Sequence, residues 1–533
     1  MSRPADHTLE LLRQGATLAE DHLQALASRL PALQRALVQH GTQALGDYVR
    51  GLSRAAPGTS LQDPADLASC VHRRCAAMLG DQVAHKAAEE LSTTARVLTA
   101  NHHGVDYFAQ SLQGTLSLAL DARERDGAVV VLACGAIPIN NLTYPRGILS
   151  YQHCNEGATC GPLRLPVYPD RYKRSMVCTT PAMDAPMLRR ARKRIDTLRC
   201  SGDLSDMAAR VMDDILHQDY SCTEVLQCDS YSQQATLLNH RLWQRLFADP
   251  TCAPPLAYLE MESITAELLM GDLSTDSSLA SSVLFDGSLR EQVLWQLDGE
   301  RACWNRAALA RRNLATGTGR SAAGATGTVF FWGLDARRRR VPLALTTGYG
   351  GVPHLQGVAD DGEFLRVPFN PAGVSQALRE RRLLPSLFVS YLTIAMARGI
   401  SCLGGYYQAE YLPVMHKAVV DALQGLPECR NAARAVSGTV CDAYLSGMQA
   451  VCTINRNGGL IPAGPLEIIA GGGLQEQELQ TMSRLRVYDA HLASIVDTLM
   501  DAGADLVNDE AWHLKLDREL AATLGGKVVI KNE

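Results

Sequence analysis

The chain has 533 residues, 46% of them hydrophobic, with 51 Lys and Arg against 56 Asp and Glu for a formal net charge of −5. This composition excludes a disordered or fibrous chain and gives no global basic field for nucleic acid or an anionic membrane. The length suits one large two-lobed unit or about three to four domains of ~150 residues each.

At the N-terminus, Leu26, Leu30, Leu33 and Leu37 recur at helical spacing, with Pro31 expected to split the segment into two shorter helices. Residues 1–93 read as an all-helical region whose apolar stripe is a candidate surface for a second copy of the chain. The pattern then changes. Arg96 to Ala100 favours a strand, Asp106 to Arg125 has helical spacing, and Ala128 to Cys134 is a continuous apolar run of strand length. A strand covered on both faces needs such a run, so residues 94–315 are expected to form an α/β region with a mainly parallel or mixed sheet flanked by helices. Residues 316–533 are expected to form a second α/β or α+β region with a helical C-terminal part. Leu256 to Ile264 alternates as a strand, Val329 to Leu345 reads as a hairpin, Pro385 is expected to open a helix, and Leu485 to Met500 reads as one helix.

The sharpest local feature is Asn101-His102-His103-Gly104-Val105-Asp106, placed between a predicted strand and helix. Adjacent imidazoles with a nearby carboxylate can supply a general base near neutral pH, with Asp106 fixing the ring tautomer. Asp106 equally suits the first turn of a helix, where the macrodipole favours an acid. The HxxxD spacing resembles acyltransferases that use a histidine base in thioester chemistry. The string NHHGVDY is also similar to the NHxxxxD box of glycerolipid acyltransferases, with one residue fewer between His102 and Asp106, and Tyr144-Pro145-Arg146-Gly147 departs from their PEGTR-like box. The resemblance covers under a tenth of the chain, about one motif's length, and implies acyl-transfer chemistry.

A second segment, Ile137 to Gly147, offers Asn140, Asn141 and Arg146 as substrate-holding groups, since amides both donate and accept and a guanidinium grips carboxylate or phosphate. An Asn-rich turn satisfying its own backbone is the competing explanation. Gln408 and Glu410, in a polar and aromatic stretch, are candidate pocket residues. Glu260 and Glu262, two apart in a strand-like run, are expected on one face, where with His102 and His103 they would hold a divalent iron, manganese or zinc ion. The glycine-rich stretch Gly317 to Gly327 lacks both GK[ST] and GxGxxG and reads as a surface loop or lid. Neither Cys70, His72 and Cys75 nor His153, Cys154 and Cys160 forms the paired clusters of a structural zinc site.

Fifteen cysteines without a repeating framework, behind a start lacking an apolar signal stretch, lead to the expectation of a reducing cytoplasm. The apolar runs are shorter than the ~20 residues a bilayer requires. The basic runs Arg189 to Arg194 and Arg337 to Arg340 lack interleaved aromatics, so no nucleic-acid partner is expected. The resulting expectation is a cytoplasmic enzyme with a histidine base, performing acyl transfer or hydrolysis on a small polar metabolite. Its rivals are a metal-dependent hydrolase or oxidase and a noncatalytic ligand-binding or scaffold protein.

Overall fold

Two β-favouring runs, Arg96–Leu98 (β1) and Val129–Ala133 (β2), are buried at every residue, as central parallel strands must be. In the computed structural model, which describes residues 17–52, 60–151, 161–314, 326–347, 351–455, 457–507 and 512–531, they join Leu256–Glu260 (β3), Ser401–Gly405 (β4) and Tyr444–Ser446 (β5) in one sheet. The order is β3-β2-β1-β4-β5, and every pairing is parallel. Small antiparallel sheets lie outside it. The protein is therefore α/β, a parallel sheet flanked by helices, with helices filling its described N-terminal region.

Helices Ala65–Leu79 (α1), Asp81–Thr94 (α2), Ala109–Glu124 (α3), Tyr231–Arg245 (α4), Met261–Asp272 (α5) and Gln408–Gln424 (α6) surround the sheet. Alternate residues of β2 point to opposite faces. Val130 and Leu132 enter a core with α1, α2, α5 and α6, whereas Val129 and Val131 enter one with α3. A third core, containing Tyr107, Ile148, Tyr168 and Leu238, is built by segments following β1 and β2 together with α4.

Pro31 does begin a new helix, Pro31–His40, after Leu18–Ala27. Leu23, Leu26, Leu30 and Leu33 are buried in a core shared with Leu499, Leu516 and Leu520, so the chain's own C-terminal helices cover the apolar stripe.

Local readings fail where a tertiary partner intervenes. The strand at Leu256 stops at Glu260 and α5 starts at Met261, so Glu260 and Glu262 do not share a strand face. Pro385 closes the short strand Leu383–Pro385, and Ser386 caps the helix Leu387–Tyr391 that follows. The expected helix at Leu485 becomes Val487–Ala493 and Ile495–Ala502, divided at Ser494, whose hydroxyl donates to Gly447 O at 2.7 Å. Strands from residues 94–315 and 316–533 share one sheet, with Arg96, Val97 and Leu98 paired to Ser401, Cys402 and Leu403. His153, Cys154, Cys160 and most of the glycine-rich stretch lie outside the described residues. No described helix is long and apolar enough to cross a membrane.

Candidate functional site

In an open parallel sheet, ligands gather beyond the strand C-termini, especially where the strand order reverses. The reversal here falls between β1 and β4, and Gln408 closes it. Its Nε2 donates to Thr99 Oγ1 at 2.7 Å and to Cys402 O at 3.1 Å, bracketing the two strands. Gln408 is thereby committed to the scaffold rather than to a substrate. Glu410, one helical step beyond, is half-buried, with Oε1 buried and unpartnered.

The turn after β1 is held by its polar residues. Asn101 Nδ2 donates to Asp106 Oδ2 at 3.0 Å, and Asp106 Oδ1 accepts from Ser111 Oγ at 2.5 Å and from Phe108 N at 3.3 Å. Tyr258 OH lies 3.4 Å from Asp106 Oδ2. Burial raises the Asp106 pKa to about 6 against the pull of these donors. The carboxylate collects donors just before α3 and is bonded to neither imidazole, so the expected role of orienting a histidine is corrected.

The two histidines diverge. His103 is fully buried, stacked on Tyr258, with Nε2 at 3.0 Å from Ser232 Oγ and 3.2 Å from Ser232 O. The carbonyl requires a donor, which places the proton on Nε2 and leaves buried Nδ1 unpartnered. His102 is half-buried and pairs across the strand ends with Cys134. Its Nδ1 lies 3.3 Å from Thr143 Oγ1, and Asn141 Oδ1 accepts from Thr143 Oγ1 and Thr143 N, both at 2.8 Å. With the Thr143 proton directed to Asn141, His102 donates Nδ1–H and keeps the Nε2 lone pair. Burial lowers both histidine pKa values to about 4, so both rings are neutral at pH 7.

Asn141 thus reaches His102 through Thr143, while Asn140 and Arg146 do not join them. Arg146 is buried, donating to Tyr168 O at 2.8 Å, to Asn140 Oδ1 at 3.4 Å and to Asp170 in an ion pair. These bonds fasten the 137–170 loops. The expected substrate anchor is a structural clamp, because a buried guanidinium needs several fixed acceptors.

The carboxylates converge by another route than the sequence suggested. A Cβ placed on Gly135 would lie 2.9 Å from Glu260 Cγ, 3.1 Å from Cys178 Cβ and 3.2 Å from Glu262 Oε2, so one glycine after β2 marks their meeting point. Glu262 accepts from Gly135 N at 2.7 Å, Ala136 N at 2.8 Å and Cys134 Sγ at 3.2 Å. Burial, and then the charge of Glu262, raises the Glu260 pKa to about 7, while the Ser232 hydroxyl opposes the rise. Burial and the Glu262 charge push the Cys134 thiol well up, so it stays protonated and donates. Among the described residues, no three His, Cys, Asp or Glu side chains are grouped to hold a metal ion. His102, His103, Glu260 and Glu262 do not form the expected centre: His102 turns to Thr143, His103 to Ser232, and Glu262 to the amides of Gly135 and Ala136.

A cavity of about 530 Å³ opens beyond β2 and β3, lined by Cys134, Ala136, Glu262, Trp304, Trp332 and Arg340 among others. Local sequence reasoning missed Thr143, Ser232, Cys134 and Arg340 as site residues. Two of them carried a signal: Thr143 lies inside the Ile137 to Gly147 segment, and Arg340 ends a basic run. No family model, curated protein or solved structure matches the chain.

Proposed function

We propose that the protein is an enzyme performing acyl transfer or hydrolysis on a small polar metabolite, in a cytoplasmic setting, with His102 as general base and Glu260 as an acid. The observation that carries this reading is the state of His102. The ring is neutral and half-buried, its Nδ1 faces the Thr143–Asn141 pair, and its cross-strand partner Cys134 begins the cavity wall. A base so placed takes a proton from a substrate hydroxyl, amine or water as that atom attacks the acyl carbon. Glu260, titrating near neutrality, supplies a proton to the departing group. The described cysteines are all free thiols, which supports a reducing compartment.

The test incubates the purified protein with a small-molecule cell extract and follows consumption by mass spectrometry. The native chain is expected to deplete a metabolite, and His102→Gln to slow that depletion by roughly 10²- to 10⁴-fold with folding intact. An unchanged extract, or equal depletion by the variant, overturns the reading. The internal engagement of His103, Asp106 and Arg146 favours a second one, a noncatalytic ligand-binding protein, under which His102→Gln alters affinity alone.

A further inference from the structure

The wall of the cavity contains a cation without a counter-ion. Arg340 is half-buried, its guanidinium lies 4.5 Å over the Trp332 ring, and Nη1 donates to Ala136 O at 3.1 Å. Its remaining N–H groups have no partner, and it makes no ion pair, among the described residues. The neighbouring thiols of Cys134 and Cys178 are held protonated by burial and supply no negative charge. Glu262 lies in the same wall, but both its oxygens are engaged by Gly135, Ala136 and Cys134.

The fully buried arginines of the described chain, by contrast, are all paired. Arg96 pairs with Glu90 and Asp121, Arg146 with Asp170, and Arg398 with Asp66 and Asp272. Partly withdrawing a guanidinium from water carries a cost that stacking on an indole offsets only in part, and an anion would meet the rest. The hydroxyl of Thr326, also in the wall, is likewise buried without a partner. We infer that the cavity is an anion-binding site, in which Arg340 receives the carboxylate or phosphate group of a small organic molecule through the N–H groups left free by Ala136. The planar fork suits either group, and the ring of Trp332 holds the fork in place before the ligand arrives.

The inference names the substrate class of the cavity invoked above and rests on that reading for its consequence in turnover. Binding itself is measured without turnover. Inorganic phosphate and succinate, titrated separately by calorimetry into the full chain, distinguish the two anionic groups. One saturable site is expected for at least one probe, weakened roughly tenfold or more in Arg340→Met at unchanged circular dichroism. Where Arg340→Met fails to fold, Arg340→Lys keeps the charge but loses the fork, and a weakening of about threefold or more is expected. Absence of binding to the native chain by both probes, or native affinity in the folded variant, overturns the inference. Arg340-dependent binding without any metabolite turnover leaves the anion site standing and removes the enzymatic reading, whereas His102-dependent turnover with no binding of either anion does the reverse.

Discussion

Glu260 is the residue whose chemistry is most exposed to solution conditions. Its carboxyl is held near pKa 7 by burial and by the Glu262 charge, against an ordinary value of 4.5. A folded-state value above the unfolded one means that the native chain holds the extra proton between pH 4.5 and 7. The associated stability is therefore full below pH 4.5 and is lost as the pH rises through 7. Glu260→Gln keeps the neutral shape at every pH. It is expected to melt about 2 °C or more above the native chain at pH 8, a gain of ~1–2 kcal/mol after allowing for partial exposure, and to match it near pH 4.5. A melting difference that is the same at both pH values rules out the raised pKa. The sequence alone marked Glu260 and His102, because acids and imidazoles are rare enough near strand ends to stand out. It misassigned Arg146, since an arginine fastening loops from within and one gripping a ligand look alike until their acceptors are seen.

The element that shapes the site is the turn from β1 into α3. Gly104 stands there at φ +126°, and a Cβ would lie 2.5 Å from Pro145 Cβ. The close approach joins the two loops that carry His102 and Asn141, and Asn239 of α4 clamps it by donating to Gly104 O at 2.8 Å. Gly104→Ala is expected to cost ~2–4 kcal/mol, combining left-handed strain with a contact between a loop backbone and a rigid ring. Denaturant unfolding measures it, and a loss below about 1 kcal/mol shows that the turn relaxes instead. Strand, turn and helix were legible here because β2 is an unbroken apolar run and α3 has clear periodicity. At Glu260 the same reasoning overran, since alternation continues for several residues after a strand has turned into a helix, and Ser494 breaks a helix through a bond to Gly447 that no local pattern announces.

At the scale of the molecule, the sheet closes over a long stretch of sequence. β1 lies between β2 and β4, and its partner residue for Arg96 is Ser401. The expected boundary at residue 315 falls inside this sheet's span of sequence, and a parallel partner leaves no local mark, because any buried apolar strand could take the place. The consequence is strong coupling between the two halves. Arg398, fully buried, binds Asp66 and Asp272, so residues 1–314 alone would retain Asp272 in an apolar core without its cation. They would also expose one edge of β1 along with side chains that pack against Cys402 and Leu412. Expressed by itself, the 1–314 fragment is expected to show no cooperative thermal transition and to bind hydrophobic dyes, as a collapsed state without fixed packing does. A sharp melt with native-like near-ultraviolet circular dichroism would instead mean that β1, β2 and β3 form a self-sufficient core, with the Arg398 ion pairs and the β4 edge contributing only after that core is complete.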